Sequence, residues 1–571
     1  MKRTVYIFAT FAIFAAFALV SCREFLEPKS QSEFIPSTAE QLNEMLISAL
    51  PEPNDASNSA LTGGFLDILS DDVETTPYID PRNLSADQWY QQSYVSAIYS
   101  MYTWQPDYSV YQQNRGYAGA GDIYKSIYKK LIYVNAALDY VDRVTGVETL
   151  KNYVRAQART LRAFYYMQLV NIYGAPYSLD PDGPGIPLRT TAARENRKME
   201  RNTVGEVYDL IVSDLRTAVE LFSSLEASQQ YRQYRPTLPM ALLLLSRTYL
   251  YMENWEQAAI CAQKLISEWP RFQIKDLNEL VDIGITNVHH DAAVTSDPDV
   301  RRTQKFYNFV SYDNPDVIWI YGPASNMATL TRKTLSLGGG TNIRVQNNNV
   351  YACLTSASLD LASSYDSTDL RLRTYLVRNL FYEPDYDLKP YADTIKKRYH
   401  AFGKMNIQDT GTGVPSISGN RFLPEENIRT FGQALRITEA YLILAEAQSM
   451  LGGQEAQALT TLQHVWSKRF AGGAPPASYT SGSDVKELVR RERRREMCFE
   501  ALRWFDLRRW DRPRIVHEWC DVTGYGDLQR FVLEHDDRGY TLSIPHTILS
   551  ANPDLTQAPL YNDGRPRQPQ Q

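Results

Sequence analysis

The chain has 571 residues, 43% of them hydrophobic, and a formal net charge of -6. Its mean hydropathy is -0.39. That length supports a large core, and the polarity excludes a chain immersed in a bilayer. So small a net charge argues against a nucleic-acid partner, whose phosphates select a strongly basic surface.

Lys2 and Arg3 precede an apolar run from Val5 to Val20 that closes on Leu19-Val20-Ser21-Cys22. The run is shorter than the ~20 residues a spanning helix needs, and Ser21-Cys22 resembles the cleavage site of bacterial lipoprotein signal peptidase. Residues 1–21 therefore read as a lipoprotein signal peptide, Cys22 as the lipidated N-terminus, and residues 22–45 as a tether. Each buried acyl methylene contributes about 0.8 kcal/mol, so several chains hold a water-facing domain on a membrane. No later segment is apolar enough to span one.

Residues 46–270 read as a helical region opening with aromatic loops. Trp89, Tyr90, Tyr102, Trp104, Tyr108 and Tyr111 crowd together, interrupted by Gln105, Asp107 and Asn114, a polar context that suggests loops. The chain holds 38 Tyr and 9 Trp, and flat rings with a polar edge suit contacts with sugars or peptides. Next comes helical periodicity. Ile123, Ile127, Leu131, Val134 and Leu138 form one stripe within Asp122 to Val141, and Leu161, Phe164, Tyr165, Leu169 and Ile172 another within Gln157 to Tyr173. Gly174-Ala175-Pro176 ends the second helix, and the two are expected to form a hairpin. Pro239 to Met252, followed by a helix facing inward through Ala258, Ala262, Leu265 and Ile266, repeats the device.

Residues 271–430 are rich in Asn, Asp, Gly, Ser and Tyr and poor in periodic segments, with turn signals at Gly338-Gly339-Gly340 and Asn347-Asn348-Asn349. They read as a loop-rich ligand-binding subdomain carried by the helices. Tyr307 and Tyr312 stand in polar context there, Tyr312 beside Asp313 and Asn314. Trp319 stands within the strand-like Val317-Ile318-Trp319-Ile320, where packing is its expected role, and Tyr321 follows it. His289-His290-Asp291 has no third ligand at helical or strand spacing, so no metal site is read there.

Residues 431–571 return to helices. Ala434 to Leu451 turns at Gly452-Gly453 into Gln454 to Arg469, whose Ala458, Leu459, Leu462, Val465 and Trp466 face inward. Each hairpin covers roughly the 34 residues of a tetratricopeptide repeat, and stacked hairpins bury faces that one helix alone leaves open. Arg490 to Trp510 reads as a helix braced at its surface by Glu487–Arg491, Glu492–Arg495 and Asp506–Arg509 pairs. Besides Cys22 the cysteines are Cys261, Cys353, Cys498 and Cys520, without CxxC spacing; Cys261 and Cys498 lie in helical patterns and are expected to be free buried thiols.

The string Arg490-Arg491-Glu492-Arg493-Arg494-Arg495-Glu496-Met497-Cys498-Phe499-Glu500-Ala501-Leu502-Arg503-Trp504-Phe505-Asp506-Leu507-Arg508-Arg509-Trp510 closely resembles the C-terminal signature of the SusD/RagB family of outer-membrane nutrient-binding lipoproteins. Cys22 to Pro28, Ile123 to Tyr128, Leu161 to Tyr166, Thr203 to Tyr208, Trp255 to Ala259, Ala440 to Ala447, Ile544-Pro545 and Asn552 to Gln557 extend the resemblance along nearly the whole chain. Many members carry a Trp just before the helix that begins near Asp122, where this chain has Ala120-Gly121.

The resemblance implies a mainly α, tetratricopeptide-like scaffold with a large irregular subdomain. It also implies a lipid-anchored cell-surface protein of the outer membrane, without cofactor or catalysis, that captures oligosaccharides for a SusC-like TonB-dependent transporter. The alternatives are a RagB-like peptide-binding lid and a surface glycoside hydrolase, which would need two carboxylates about 5–9.5 Å apart. No GxSxG or HExxH motif is present. A glycan site needs aromatic faces edged by polar groups; Trp89, Tyr90, Tyr102, Trp104, Tyr307 and Tyr312 are the ligand-binding candidates, Trp104 foremost.

Overall fold

A computed structural model describes residues 36–51, 65–75, 100–106, 108–110, 121–193, 199–226, 234–279, 310, 314–323, 343–345, 348–350, 355–380, 399–402, 431–482, 484–519, 529–557 and 568–569. Its helices are α1 (Ala39–Met45), α2 (Gly121–Tyr140), α3 (Glu148–Tyr173), α4 (Val204–Ser223), α5 (Leu238–Tyr251), α6 (Trp255–Glu268), α7 (Ile437–Met450), α8 (Glu455–Trp466), α9 (Val485–Met497) and α10 (Arg503–Arg509), with shorter turns between them. Each of α2 to α8 packs on the next. The stack continues across the interruption between residues 269 and 436, because α6 and α5 both lie against α7. The intervening residues are thus inserted into a helical array that closes as if they were absent.

Local chemistry explains where these helices start, stop and pack. The Thr203 hydroxyl accepts from the Glu206 amide at 3.1 Å and the Glu206 carboxylate accepts from the Thr203 amide at 2.9 Å, a capping box that starts α4. Every residue of α5 is buried, as suits an apolar helix in the middle of a stack.

At the end of α3 the last four carbonyls need partners from outside the helix. Val170 O accepts from the Gly174 amide at 2.8 Å, Ile172 O from the Leu542 amide at 3.1 Å and Tyr173 O from Arg201 at 2.7 Å, while Asn171 O accepts from Arg508. Two guanidiniums at this C-terminus also complement the helix dipole. The residue that closes it must be small, since a Cβ at Gly174 would stand 2.9 Å from Val170 O.

The strands are β1 (Val73–Thr75), β2 (Val317–Pro323), β3 (Thr355–Ala357), β4 (Leu376–Leu380), β5 (Tyr399–Phe402), β6 (Phe431–Arg436), β7 (Ile515–Trp519), β8 (Gln529–Leu533) and β9 (Gln568–Pro569), besides a small hairpin of Ile343–Val345 with Asn348–Val350. The order β1-β3-β5-β4 makes an antiparallel sheet that joins the N-terminal region to the insertion. β2 pairs with β6 from Val317 opposite Arg436 to Pro323 opposite Phe431, so one ribbon carries the chain out of the helical array and back. β9-β8-β7 form the third sheet. One hydrophobic core runs from Ala39 to Leu555, with a second cluster between α8 and α9. No helix among the described residues is long and apolar enough to cross a membrane.

Two sequence expectations change. The helix expected from Ala434 begins at Ile437, because Phe431–Arg436 is extended and paired with β2. The helix expected over Arg490 to Trp510 is two helices, broken at Cys498, with Phe499 at φ 62° and Ala501 at φ 60°. Tertiary partners hold that break open. The Ala501 amide donates to Asp67 at 3.2 Å, and Glu500 reaches Arg436 at 2.7 Å.

Candidate functional site

Of the expected ligand aromatics, Tyr102 and Trp104 fall within the described residues. Tyr102 and Trp104 lie in the core, 1% and 3% exposed, where polar neighbours in sequence had suggested a surface loop. Between them sits His517 of β7, stacked on Tyr102 at 4.0 Å and on Trp104 at 4.2 Å. Trp104 donates its indole N–H to Leu69 O at 3.0 Å and takes φ 51°, a backbone conformation that costs a side-chain-bearing residue about 1–3 kcal/mol. Both rings are spent on packing, so neither offers a free face to a ligand. Tyr108 is buried too, donating to Ser543 O at 3.1 Å. Trp319 and Tyr321 are buried and stacked on each other at 5.3 Å, the packing role expected of Trp319. Trp89, Tyr90, Tyr111, Tyr307, Tyr312 and His289-His290-Asp291 lie outside the described residues, as do Cys22, Cys353 and Cys520. Cys261 and Cys498 are buried, and burial pushes the Cys261 thiol up to about 11.

His517 presents both ring nitrogens to carbonyls, Nδ1 to Tyr102 O at 2.7 Å and Nε2 to Ser70 O at 3.1 Å. Burial pushes its imidazole down to about 4, against both carbonyls and the charge of Asp71.

The basic run that resembled a solvated helix face is buried along one side, at Glu492, Arg493, Arg495 and the Glu496 that follows it. Glu496 is 0% exposed and receives three guanidiniums. Arg469 bonds it at 2.8 and 2.9 Å, Arg436 at 3.1 Å and Arg371 at 3.2 Å, and the Tyr375 hydroxyl adds a bond at 3.0 Å. Each arginine is neutralised again on its other side. Arg371 bonds Asp369 at 2.8 Å and Glu492 at 2.6 Å, while Arg436 bonds Asp316 at 2.7 Å and Glu500 at 2.7 Å. Asp316 in turn accepts from the Thr438 amide at 2.9 Å, fixing the first turn of α7. Burial works to raise the Glu496 carboxyl, and Arg469, Arg436 and Arg371 overcome it and hold it well below the carboxylate range.

Two further clusters flank this one. Arg493 bonds Asp506 at 2.8 Å, and Arg509 bonds Glu446 at 2.6 and 2.7 Å, tying α9 and α10 to α7; Arg247 of α5 bonds Glu439 at 2.8 Å. On the far side Arg494 reaches Asp72 at 2.7 Å and Arg503 reaches Asp71 at 2.7 Å, so the same segment holds the N-terminal region. Of the expected helix pairs, Asp506–Arg509 forms at 2.9 Å and Glu487–Arg491 at 3.8 Å, whereas Glu492 turns inward to Arg371 and Tyr479. Sequence reasoning missed Asp316, Asp369, Arg371, Arg436 and Arg469. A usable signal was the placing of Glu439 and Glu446 on the apolar stripe of α7, since a charge at a core position calls for a buried partner.

Comparison with known proteins places these elements in a family. A model described as SusD-like, "Starch-binding associating with outer membrane", matches residues 24–250, and a SusD family model matches residues 427–561. The chain belongs to the SusD family. A tetratricopeptide repeat model matches residues 240–271, which is the α5–α6 hairpin. A SusD-like protein of Formosa agariphila is 24% identical over 431 residues, spanning 74% of this chain and 76% of its own length. Among solved structures, a SusD superfamily protein from Bacteroides vulgatus superposes with a TM-score of 0.63 at 17% identity, covering 92% of this chain and 100% of that one. A laminarin-binding SusD-like protein superposes with a TM-score of 0.55, also at 17% identity and with the same coverages. The SusD-family matches lie on both sides of the insertion.

Proposed function

We propose that this SusD-family chain is a lipid-anchored, non-catalytic protein of the outer-membrane surface that captures oligosaccharides and passes them to a SusC-like TonB-dependent transporter. The family match at both ends of the chain carries this reading, and the likeness to a laminarin-binding relative supports a glycan as the ligand. The signal peptide and Cys22 supply the anchor, and residues 271–430, inserted into the helical array, supply the ligand-binding subdomain. Trp89, Tyr90, Tyr307 and Tyr312 are its candidate ring contacts, now that Tyr102 and Trp104 belong to the core.

The test is a pull-down of the soluble form lacking residues 1–22 against soluble and insoluble polysaccharides and a peptide pool, with reducing ends assayed in the same tubes. Retention by a glycan without new reducing ends is the expected result. Retention of peptides alone moves the protein to the RagB-like branch, and released sugar refutes the non-catalytic reading. Co-purification of a TonB-dependent transporter with the full lipidated chain tests the partnership, and its absence from a membrane extract that retains the lipoprotein counts against it.

A further inference from the structure

Three separate points of the insertion converge on one scaffold helix. Asp316 stands at the foot of β2, Arg436 at the end of β6, and Asp369, Arg371 and Tyr375 lie just before β4. All are buried, and Arg371, Tyr375 and Arg436 meet the Glu496 carboxylate directly. Asp316 joins through Arg436. A fourth connection reaches the same carboxylate from the first part of the insertion: Arg469, bonded to Glu496, also donates to Lys275 O at 2.6 Å. The next residues add Asp276 with Lys468 at 2.8 Å.

We infer that Glu496 is a positioning residue for ligand capture: it sets the directions in which the β2–β6 ribbon and the segment leading into β4 leave the helical array, without itself touching ligand. This rests on the reading that the insertion binds the glycan. Two features favour a positioning role over general stabilisation. Three of the four partners, Arg371, Tyr375 and Arg436, come from the insertion or its return junction and the fourth, Arg469 just past α8, itself reaches the insertion at Lys275 O, while α2, α3 and α4 take no part in the Glu496 contacts described. The geometry is also over-determined, because a carboxylate receiving one two-pronged guanidinium, a single bond from each of two others and a phenol is held in angle as well as distance. Charged pairs this deeply buried are weak sources of net stability and strong sources of a unique arrangement when every group is satisfied.

The experiment compares wild type, Glu496→Gln, Glu496→Asp and Tyr375→Phe in the soluble form lacking residues 1–22. Hydrogen exchange is followed by region, and affinity is measured for the glycan that the wild type retains. Glu496→Gln keeps the shape of the side chain and removes its charge. The expected result is exchange at least about ten-fold faster in residues 314–323, 371–376 and 431–436, unchanged exchange in α2 to α4, and glycan affinity weakened at least about ten-fold. Glu496→Asp should recover part of the affinity. Tyr375→Phe, which leaves every charge in place and so keeps the protein folded, should weaken binding about two- to five-fold.

Equal acceleration in α2 to α4 would make Glu496 a general stabiliser and overturn the inference. So would wild-type affinity in Glu496→Gln or in Tyr375→Phe despite faster exchange at the ribbon. The exchange arm needs no ligand and judges the coupling even where no glycan is retained, an outcome that instead defeats the capture reading.

Discussion

Replacing Trp104 with Ala separates a core residue from a binding platform. The side chain is 3% exposed, stacked on His517 at 4.2 Å and bonded to Leu69 O at 3.0 Å. Emptying such a site costs about 3–5 kcal/mol, and the lost ring stack and the carbonyl left in a dry pocket belong largely to the same sum. A loss of about 4 kcal/mol is therefore expected, read as a lower denaturant midpoint for the soluble form. Trp104 also sits at φ 51°, where Gly is unstrained and any Cβ is penalised by about 1 kcal/mol, so Trp104→Gly should be no less stable than Trp104→Ala. Trp104→Phe keeps most of the stack and loses the indole donor, and should fall by about 1–2 kcal/mol. Glycan affinity of the folded fraction should stay within about two-fold in all three. A Trp104→Ala protein with wild-type stability and affinity lowered more than ten-fold would refute the core assignment.

Acid should weaken the fold in two ways. Burial holds His517 at about 4 against an ordinary 6.5, so a neutral imidazole favours the native state and its contribution is lost as pH falls between those values, by about 2 kcal/mol at pH 5. Melting curves of His517→Gln should lack that part of the slope; a wild type with constant stability from pH 7 to 5 would mean that the two carbonyls keep the ring charged. Glu439, Glu446, Glu492 and Glu496 are all raised by burial and lowered further by their arginines, so their contribution is present above the ordinary carboxylate range and lost below it, as each titrates at its depressed folded value. Gly174→Ala drives a methyl group to 2.9 Å from Val170 O and should lower the melting temperature, with unchanged stability pointing to a different close of α3. Cys22→Ala should release the protein from membranes with unaltered glycan affinity, and retention of this variant without the transporter would contradict the lipid anchor. Alanine at Trp89 or Tyr312 should weaken glycan retention and leave melting unchanged, whereas a large loss of stability would mark the ring as core.

The helical array was legible because its signal is local. The stripes of α2, α3 and α6 are written at periods of three and four, the stop at Gly174 and the turn before Glu455 are marked by glycines, and Gly453 takes φ 80° as that turn requires. The start of α7 was misread because Ala434, Leu435 and Ile437 suit either a strand or a helix, and the choice was made by β2, more than a hundred residues earlier. The aromatic site was harder for a related reason. Polar neighbours such as Gln105 suggest exposure, yet Gln105 is itself 5% exposed, its amide bonded to Thr103. Burial of that segment depends on His517, Leu69 and Ser543, none of them near it in sequence.

The C-terminal signature carries the same lesson further. In isolation, six charged residues in a row from Arg490 to Arg495 describe a helix face in water, and the i,i+4 rule offers partners for them on their own helix. Yet their inner members are paired across the fold: Arg494 with Asp71 and Asp72 before β1, Arg493 with Glu439 of α7 and Asp506 of α10, and Glu492 with Arg371 before β4, while Glu496, which follows the run, takes Arg436 at the end of β6. A helix that must hold several chain segments of unrelated sequence cannot do so by apolar packing alone, which is non-directional and tolerates sliding. Guanidinium–carboxylate forks do not slide, and each buried charge that lost its partner would cost several kcal/mol. For a scaffold that carries a long insertion, fixing where its strands begin is worth more than the small net stability such pairs supply. The segment whose sequence resembles the family signature is, in this chain, the part that holds the fold's segments in register.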